Sequence, residues 1–241
     1  MTKIETAMVL AAGLGTRMRP ASLDKPKPLV PLARKALIDH VLDRLQAAGV
    51  NRAVVNVHHR ADQITQHLAS RHSPQITISD EREKLLDTGG GVKRALPLMG
   101  PEGFFVHNSD TVWLETHGSN LAKLAALWNP ERMDCLLMLA LGAAAVGYQG
   151  RGDFSLDADG RIRRRREQEV VPFVFTGVQI VHPRAFAVTP DGPFSNNLVW
   201  NHAMLSGRAY GMRMEGLWMH VGAPDELAAA ELVIATGGFP Q

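Results

Sequence analysis

The fold is decided by the stretch Met8-Val9-Leu10-Ala11-Ala12-Gly13-Leu14-Gly15-Thr16-Arg17-Met18-Arg19-Pro20. This stretch joins an apolar run to a glycine-rich, basic loop. The run is shorter than a signal-peptide core and leads straight into Gly13, so it predicts a buried strand, Ala7–Ala11. Gly13 and Gly15, one residue apart, allow backbone N–H groups to approach a phosphate closely. The stretch therefore predicts a strand followed by an anion-binding loop.

The loop matches neither of the two commoner glycine-rich phosphate motifs. A dinucleotide-binding fingerprint needs a third glycine where this chain has Met18, and a Walker A loop needs a Gly-Lys-Ser/Thr triplet that is absent here. It is also too long for a tight turn between a strand and a helix. Four cations and four prolines mark it: Arg17, Arg19, Lys25, Lys27, Pro20, Pro26, Pro28 and Pro31. A stiff basic loop suits a triphosphate, and the alternative is a surface loop with incidental charge.

Short β-rich runs alternate with helical patterns through the first 140 residues, which is typical of βαβ units. The strands are predicted at 7–11, 53–57, 76–78 and 104–106, and the helices include 38–45, 64–68 and 92–98. The fold class is therefore α/β, a Rossmann-like doubly wound and mostly parallel sheet. Later, a hairpin turn at Asp159–Gly160, a strand at Val170–Val181 and a helix between Pro224 and Gly237 predict a smaller β-rich elaboration. We expect one domain over 1–241, with halves 1–140 and 141–241.

The composition excludes several classes of protein. Hydrophobic residues make up 45% and charged residues 21%, which indicates a globular chain. The net charge of +2 gives no field that would favour nucleic acid, and no stretch approaches the roughly 20 apolar residues that span a membrane. The single Cys135 lies in an apolar run, which predicts a buried, inert thiol and a reducing compartment. We expect a cytoplasmic monomer or small homo-oligomer.

Asp110 follows the predicted strand at 104–106, at the edge where open α/β sheets bind ligands. Magnesium usually takes one or two protein carboxylates together with substrate phosphates, so one aspartate beside a nucleotide is chemically sufficient. The alternative is that Asp110 only caps a turn. The basic loop favours metal ligation.

The sequence Ala11–Pro20, followed by Lys25-Pro26-Lys27-Pro28-Leu29, resembles the signature of the sugar-1-phosphate nucleotidyltransferases, which make NDP-sugars from an NTP and a sugar 1-phosphate. The similarity continues through Thr88–Gly91, Asp110 and the segment after Trp218. It implies a metal-dependent enzyme with Mg²⁺, or Mn²⁺ or another divalent metal, as cofactor. It also implies that 1–140 binds the nucleotide and 141–241 the sugar.

The resemblance also assigns roles to residues. The catalytic residues it implies are Arg17, Lys27 and Asp110, with Arg17 on the β- and γ-phosphates and Lys27 on the α-phosphate. The nucleotide-binding residues are Leu10, Ala11, Ala12, Gly13, Gly15, Thr16, Arg17, Lys27, Thr88, Gly89, Gly90 and Asn108. The sugar-binding residues are Gly152, Asp153, Thr176, Gly177 and Glu167.

The segment Trp218-Met219-His220-Val221-Gly222-Ala223 departs from the family pattern, because His220 replaces the second metal-binding aspartate. The metal ligands implied are therefore Asp110 and His220. Imidazole is a poor Mg²⁺ ligand and suits softer divalent ions. His220 can instead contact phosphate, hold a water molecule, or be a core histidine.

Within the family, the segments Asp87–Gly91, Gly150–Phe154 and Phe175–Gly177 are most similar to the N-acetylmuramate 1-phosphate uridylyltransferases of bacterial cell-wall recycling. UTP and N-acetylmuramate 1-phosphate are thus the expected substrates, in peptidoglycan recycling. The alternative is a mannose- or heptose-1-phosphate guanylyltransferase. Two other classes of protein remain. One is a non-catalytic nucleotide-binding regulatory subunit, and the other is an RNA-binding module that uses the arginines of 161–166. We instead expect these arginines to lie beside the anionic substrate.

Overall fold

The computed structural model describes residues 3–237, which form a nine-stranded sheet, two short ribbons and six α-helices. The strands are β1 (Thr6–Leu10), β2 (Pro31–Leu32), β3 (Lys35–Ala36), β4 (Arg52–Val57), β5 (Gln75–Asp80), β6 (Phe104–Asn108), β7 (Thr111–Leu114), β8 (Cys135–Leu141), β9 (Phe154–Leu156), β10 (Ile162–Arg164), β11 (Phe173–Val181), β12 (Ala209–Arg213) and β13 (Leu217–His220). The helices are α1 (Leu37–Ala47), α2 (Ala61–Leu68), α3 (Asp87–Met99), α4 (Asn120–Leu127), α5 (Asn196–Leu205) and α6 (Pro224–Ala235).

The central sheet has the order β5-β4-β1-β6-β11-β8-β12, and the β9–β10 hairpin pairs with the first residue of β11. Strands β5, β4, β1 and β6 are mutually parallel. Of the nine strands in this sheet, β10 and β11 run opposite to the rest. The predicted α/β fold with a mostly parallel sheet is confirmed.

The two faces of β1 pack into two different cores because alternate side chains of a strand point to opposite faces. Val9 joins the core formed with α1, α2 and α4, whereas Met8 joins the core formed with α3 and α5. A third, smaller cluster includes Met18, Leu32, Met219 and residues of α6. The third cluster anchors the basic loop to the β7–β13 ribbon.

Several elements differ from the sequence-based expectations. Helix α3 begins at Asp87, five residues before the predicted start at residue 92, and β11 begins at Phe173 rather than Val170. The β9–β10 hairpin turns at Gly160 as predicted, with φ of 82°. The elements β7, β8, β12, β13, α4 and α5 were not predicted. Strands β7, β8, β12 and β13 are short or nearly uniformly apolar, so periodicity does not identify them. Helices α4 and α5 each follow a serine N-cap, Ser119 and Ser195, a signal that the sequence does carry.

Cys135 is fully buried as predicted, and burial raises the pKa of its thiol. A thiol that stays protonated at neutral pH is a poor nucleophile. Within residues 3–237, no helix has the length and apolarity needed to cross a membrane.

Candidate active site

The carboxyl ends of β1, β4 and β6 lie side by side, because the parallel register places Leu10 between Asn56 and Asn108. Open α/β sheets bind their ligands at this edge. Two cavities open there, of about 340 and about 260 Å³. Arg17, Asn108 and Asp110 belong to the walls of both. The two cavities therefore meet at one basic side chain, one amide and one carboxylate.

The first cavity has two chemically different ends. Gly13, Gly15, Arg17 and Lys27 line one end, where backbone N–H groups and two cations suit phosphates. Leu85, Asp87 and Thr88, at the start of α3, line the other end. The arrangement can hold a nucleotide with its phosphates on the basic loop and its base against the α3 terminus.

The shape of the basic loop depends on Gly15. Its φ is 63°, in the left-handed region, and a Cβ there would lie 3.0 Å from Lys27 Cβ. Ser22 Oγ donates a hydrogen bond of 2.9 Å to the Gly15 carbonyl, while Met18 is fully buried. Because Gly15 packs directly against Lys27, the glycine-rich segment and the second basic segment form one side of the cavity.

Lys27 and Asp110 form an ion pair, with 2.5 Å between Lys27 Nζ and Asp110 Oδ2. The lysine side chain is 12% exposed and that of the aspartate 32%. The pair joins the basic loop to the carboxyl end of β6 across 83 residues of sequence. A bound phosphate would contact Lys27, and a bound metal ion would contact Asp110.

The second cavity has an aromatic wall. The ring centroids of Tyr148 and Trp218 lie 6.1 Å apart, and those of Trp218 and His220 lie 5.6 Å apart. Trp218 Nε1 donates to the Thr176 carbonyl at 3.2 Å. Asp153 also lines this cavity, and its Oδ2 accepts from the Phe175 backbone N–H at 2.9 Å. A wall of rings facing polar groups suits a sugar, which has both C–H faces and hydroxyls.

Gly177 lets the second half of the chain approach the end of β6. Its φ is 90°, and a Cβ there would lie 2.3 Å from Thr111 Oγ1 and 2.9 Å from Asn108 Nδ2. The register of β11 against β8 shifts at this point, between Phe175 and Gln179. The irregularity brings the Thr176 carbonyl within 2.7 Å of Thr111 Oγ1, which donates to it.

His220 lies in the wall of the second cavity, together with Asp110. It ends β13 and pairs with Thr111 in the antiparallel ribbon. Its Nε2 is 3.6 Å from Glu226 Oε2, which also accepts a hydrogen bond from the Gly222 backbone N–H at 2.5 Å. The ribbon thus brings His220 to the same cavity as Asp110.

The donor set suits a metal ion only in part. Residues 3–237 contain no group of three or more His, Cys, Asp or Glu side chains that could hold a metal. Asp110 supplies one carboxylate and His220 one imidazole. A hard cation would fit here if substrate phosphates supplied further ligands, as they do for magnesium in nucleotide sites.

Most of the predicted residues lie on these walls. Those lining the first cavity are Leu10, Ala12, Gly13, Gly15, Arg17, Lys27, Thr88, Asn108 and Asp110. Those lining the second are Arg17, Asn108, Asp110, Asp153, Thr176, Gly177 and His220. Those lying outside both linings are Ala11, Thr16, Gly89, Gly90, Gly152 and Glu167.

The three glycines outside the linings make other contacts. The backbone N–H groups of Gly89 and Gly90 both donate to the Phe194 carbonyl, at 2.8 and 3.0 Å. A Cβ at Gly152 would lie 2.1 Å from the Val171 carbonyl oxygen, so this glycine is needed for close packing. Glu167 is exposed.

The arginines of 161–166 lie outside both linings, contrary to the expectation that they lie beside the substrate. Arg163 forms an ion pair of 2.6 Å with Glu169. Arg164 lies over the Phe154 ring at 5.1 Å and donates to Asn197 Oδ1 at 3.0 Å. The run therefore stabilises the β9–β10 hairpin against α5.

Sequence reasoning missed Asn56 and Tyr148, both of which line a cavity, and it included Asp87 only as part of the segment Asp87–Gly91. Asn56 and Asp87 carry a weak signal, since Asn56 is near the end of a predicted strand and Asp87 precedes the glycine triplet. Tyr148 carries none. Its position depends on the loop after β8, and that strand was not predicted.

A buried stack supports the end of β6. The His107 and Trp113 rings are stacked with centroids 5.7 Å apart, and the Arg44 guanidinium lies 4.2 Å from the Trp113 centroid. Burial lowers the pKa of His107 to about 4, and burial also lowers the pKa of Arg44. A neutral His107 therefore lies one residue before Asn108.

Known proteins resemble this chain both in sequence and in structure. The model of the MobA-like NTP transferase domain matches residues 7–146. The chain is 51% identical to the N-acetylmuramate alpha-1-phosphate uridylyltransferase of Caulobacter vibrioides, over 95% of this chain and 96% of the relative. It is 34% identical to the protein of the same name from Neisseria meningitidis serogroup B, over 93% of this chain and 96% of that one.

Among solved structures, the inositol-1-phosphate CTP transferase from T. maritima has the same fold. Its TM-score is 0.78 at 17% sequence identity, and the match covers 99% of each chain. At this identity the likeness concerns the fold alone.

Proposed function

The chain belongs to the MobA-like NTP transferase family, and on that basis we propose that it transfers a uridylyl group from UTP to N-acetylmuramate 1-phosphate. The products are UDP-N-acetylmuramate and pyrophosphate. The observation that carries the proposal is the junction of the two cavities at Arg17, Asn108 and Asp110. A nucleotide in the first cavity and a sugar phosphate in the second would meet there. The names of the two relatives support the choice of substrates.

The reaction is an in-line displacement at the α-phosphorus. A phosphate oxygen of the sugar 1-phosphate forms the new bond, and the bond between the α-phosphorus and the bridging oxygen of pyrophosphate breaks. The second pKa of a phosphate monoester is about 6, so the attacking oxygen is largely deprotonated at neutral pH. No general base is needed, and catalysis consists of positioning and charge neutralisation.

Arg17 and Lys27 supply that neutralisation. Arg17 lines both cavities, so its guanidinium can hold the departing pyrophosphate while the sugar phosphate is bound. Lys27, held by Asp110, faces the first cavity and serves the α-phosphate. Both cations stabilise charge that increases in the transition state.

Asp110 and His220 are the residues that would hold a divalent metal, and the metal would supply further neutralisation of phosphate charge. Asp110 is the harder ligand of the two. It also orients Lys27, which it contacts at 2.5 Å.

The sugar would bind between the aromatic wall and the polar residues of the second cavity. Tyr148 offers a ring face, and Asp153 offers a carboxylate that can accept from a hydroxyl or amide. The Tyr148 hydroxyl already accepts a hydrogen bond from the Gly152 backbone N–H at 3.0 Å. Gly152 thus acts on the site through Tyr148.

The test is pyrophosphate release from each of the four NTPs against a panel of sugar 1-phosphates, in Mg²⁺ and then in Mn²⁺. We expect the highest kcat/KM with UTP and N-acetylmuramate 1-phosphate. Higher turnover with GTP and mannose or heptose 1-phosphate would instead identify a guanylyltransferase. NTP binding without turnover of any pair would identify a regulatory subunit. Asp110→Asn is the negative control, because it removes the carboxylate that both cavities share.

A further inference from the structure

A buried carboxylate, Glu81, lies directly behind the first cavity, one residue after β5. It is 1% exposed. Its Oε1 accepts a hydrogen bond from Asn56 Nδ2 at 2.8 Å, and its Oε2 accepts from the Leu86 backbone N–H at 3.3 Å. Both oxygens therefore act as acceptors, a requirement that a carboxylate meets and an amide does not.

The orientation of Asn56 is fixed from both sides. Its Oδ1 accepts a hydrogen bond of 2.8 Å from the Ala11 backbone N–H, so its Nδ2 must turn toward Glu81. Asn56 is only 2% exposed, so loss of either partner would leave a buried amide atom unpaired. Each hydrogen bond therefore has a fixed direction: Ala11 donates to Asn56, and Asn56 donates to Glu81.

The chain of hydrogen bonds joins the two ends of the first cavity. Ala11 begins the loop that continues into Gly13 and Gly15 at the basic end. Leu86 is the residue that caps the start of α3, next to Asp87 and Thr88 at the other end. The Glu81 carboxylate therefore connects the phosphate side of the cavity to the side assigned to the base.

We infer that Glu81 is a positioning residue for nucleotide binding, which acts through Asn56 to fix the glycine-rich loop relative to the start of α3. The inference rests on the proposed function, because it concerns the site to which the NTP is assigned. Glu81 itself touches neither cavity. It acts by holding the backbone of Ala11 and Leu86 at a fixed separation.

The third glycine of the triplet gives independent support. A Cβ at Gly91 would lie 2.7 Å from Glu81 Oε1 and 2.8 Å from Asn56 Nδ2. Gly91 thus leaves room for the hydrogen bond between these two side chains. Burial raises the pKa of Glu81, and the bonds from Asn56 and Leu86 oppose that effect. Three positions of the sequence, Asn56, Glu81 and Gly91, therefore contribute to the network.

Because each hydrogen bond has a fixed direction, the amide and the carboxylate can be exchanged between positions 56 and 81. In Glu81→Gln, the new N–H₂ group faces an N–H donor, either that of Asn56 or that of Leu86. In Asn56→Asp, a carboxylate oxygen at position 56 faces a carboxylate oxygen of Glu81. In the double variant, the amide at position 81 donates to the carboxylate at position 56 and accepts from Leu86. The carboxylate at position 56 still accepts from Ala11. Each single variant breaks the network, and the double variant restores every hydrogen bond.

The experiment measures KM for UTP, KM for the sugar 1-phosphate and kcat in Asn56→Asp, Glu81→Gln and the double variant. We expect each single variant to raise KM for UTP about tenfold, with KM for the sugar phosphate changed less than about twofold. The double variant should return KM for UTP to within about threefold of the parent. Single variants that leave KM for UTP unchanged would overturn the inference, as would a folded double variant without rescue.

Two further measurements separate positioning from a general loss of stability. Leu124→Ala, in the fully buried part of α4, is the matched control. It should lower the Tm and leave both KM values unchanged. Hydrogen exchange of the Ala11 amide, followed by NMR without ligand, should accelerate about tenfold or more in the single variants and recover in the double variant.

The exchange measurement also distinguishes failure of this inference from failure of the proposed function. A protein that turned over no NTP would refute the proposed function, while Ala11 exchange would still test the network. Unchanged exchange at Ala11 in both single variants would refute the network whatever the activity.

Discussion

Lys27 is the residue on which the proposed chemistry depends most directly, because it is largely buried and its ammonium group faces both Asp110 and the first cavity. We expect Lys27→Met to lower kcat about 100-fold, since the α-phosphate loses a fixed positive charge in the transition state. Single-turnover kinetics with saturating UTP measure this step. A variant with weaker sugar affinity and an unchanged bond-forming rate would contradict the role given to Lys27.

We propose that His220 sets the preference of the site among divalent metals. We expect His220→Asp to increase the apparent affinity for Mg²⁺ about tenfold and to reduce any advantage of Mn²⁺, because a carboxylate is the harder ligand. Initial rates as a function of each metal, together with calorimetric metal binding in the presence of UTP, measure the effect. Glu226→Gln is the control, since it changes the neighbour of His220 and keeps the imidazole. Unchanged metal curves in both His220→Asp and His220→Ala would place His220 outside the metal site.

His107 makes the stability of the protein depend on pH. Burial lowers its pKa to about 4 from 6.5, so the unfolded chain binds a proton before the folded one does. The corresponding stability is present above pH 6.5 and is lost as the pH falls toward 4. At about 1.4 kcal/mol per pKa unit, the total is about 3 kcal/mol.

We therefore expect the parent to lose about 2 kcal/mol more than His107→Phe between pH 7 and pH 5. The phenylalanine ring can keep the stack on Trp113 and cannot bind a proton. Urea unfolding at the two pH values measures the difference. Equal losses in the two proteins would show that His107 does not titrate as its burial requires.

At the scale of elements, the glycines of the loop and of α3 differ in role although both occur in the family signature. A Cβ at Gly90 would lie 2.3 Å from the backbone oxygen of Gly192, whereas a Cβ at Gly13 would meet nothing within 4 Å. Gly13 lines the first cavity and Gly90 does not. One glycine is therefore free for a ligand, and the other is required for helix packing.

Alanine substitutions separate these roles. We expect Gly90→Ala to lower the unfolding free energy by about 2 to 4 kcal/mol, since backbone must move, while KM for UTP stays near the parental value. Gly13→Ala should change stability by less than about 0.5 kcal/mol and raise KM for UTP about tenfold, because its methyl group enters the cavity. Chemical denaturation and steady-state kinetics on both proteins measure the two effects. The reverse pattern would contradict the assignment.

At the scale of the whole molecule, the two halves share one sheet. Strand β11 of the second half pairs with β6 and with β8 of the first, and Leu136, Val178 and Val9 belong to one core cluster. Pairing of this kind couples the stability of the halves. We expect residues 1–140 and 141–241 to unfold in a single transition.

Tryptophan fluorescence can report on each half separately, because Trp113 and Trp128 lie in the first and Trp200 and Trp218 in the second. Replacing one pair with phenylalanine leaves the other as the reporter. Each variant is unfolded in urea and followed by fluorescence and by far-UV circular dichroism. Within each variant, the two signals should have the same midpoint. Separate transitions would indicate two independent units.

Much of the fold and of the site follows from local features of the chain. The apolar run before Gly13, the cations at positions 17 and 27 and the aspartate after β6 are all defined by neighbours in sequence. Local hydrophobic pattern and loop composition therefore suffice to predict a parallel sheet with a basic phosphate loop. The family signature adds the reaction class, because it too is read from contiguous residues.

The rest depends on contacts between residues that are distant in the sequence. Asn56 is 45 residues from Ala11 and 25 residues from Glu81, and no periodicity links such positions. The strands of the second half are short or evenly apolar, so the place of Tyr148 follows only from their packing. Whether a glycine such as Gly90 faces a ligand or a neighbouring loop is likewise a property of packing. Local chemistry selects the groups that can bind phosphate, and the arrangement of the sheet decides which of them meet.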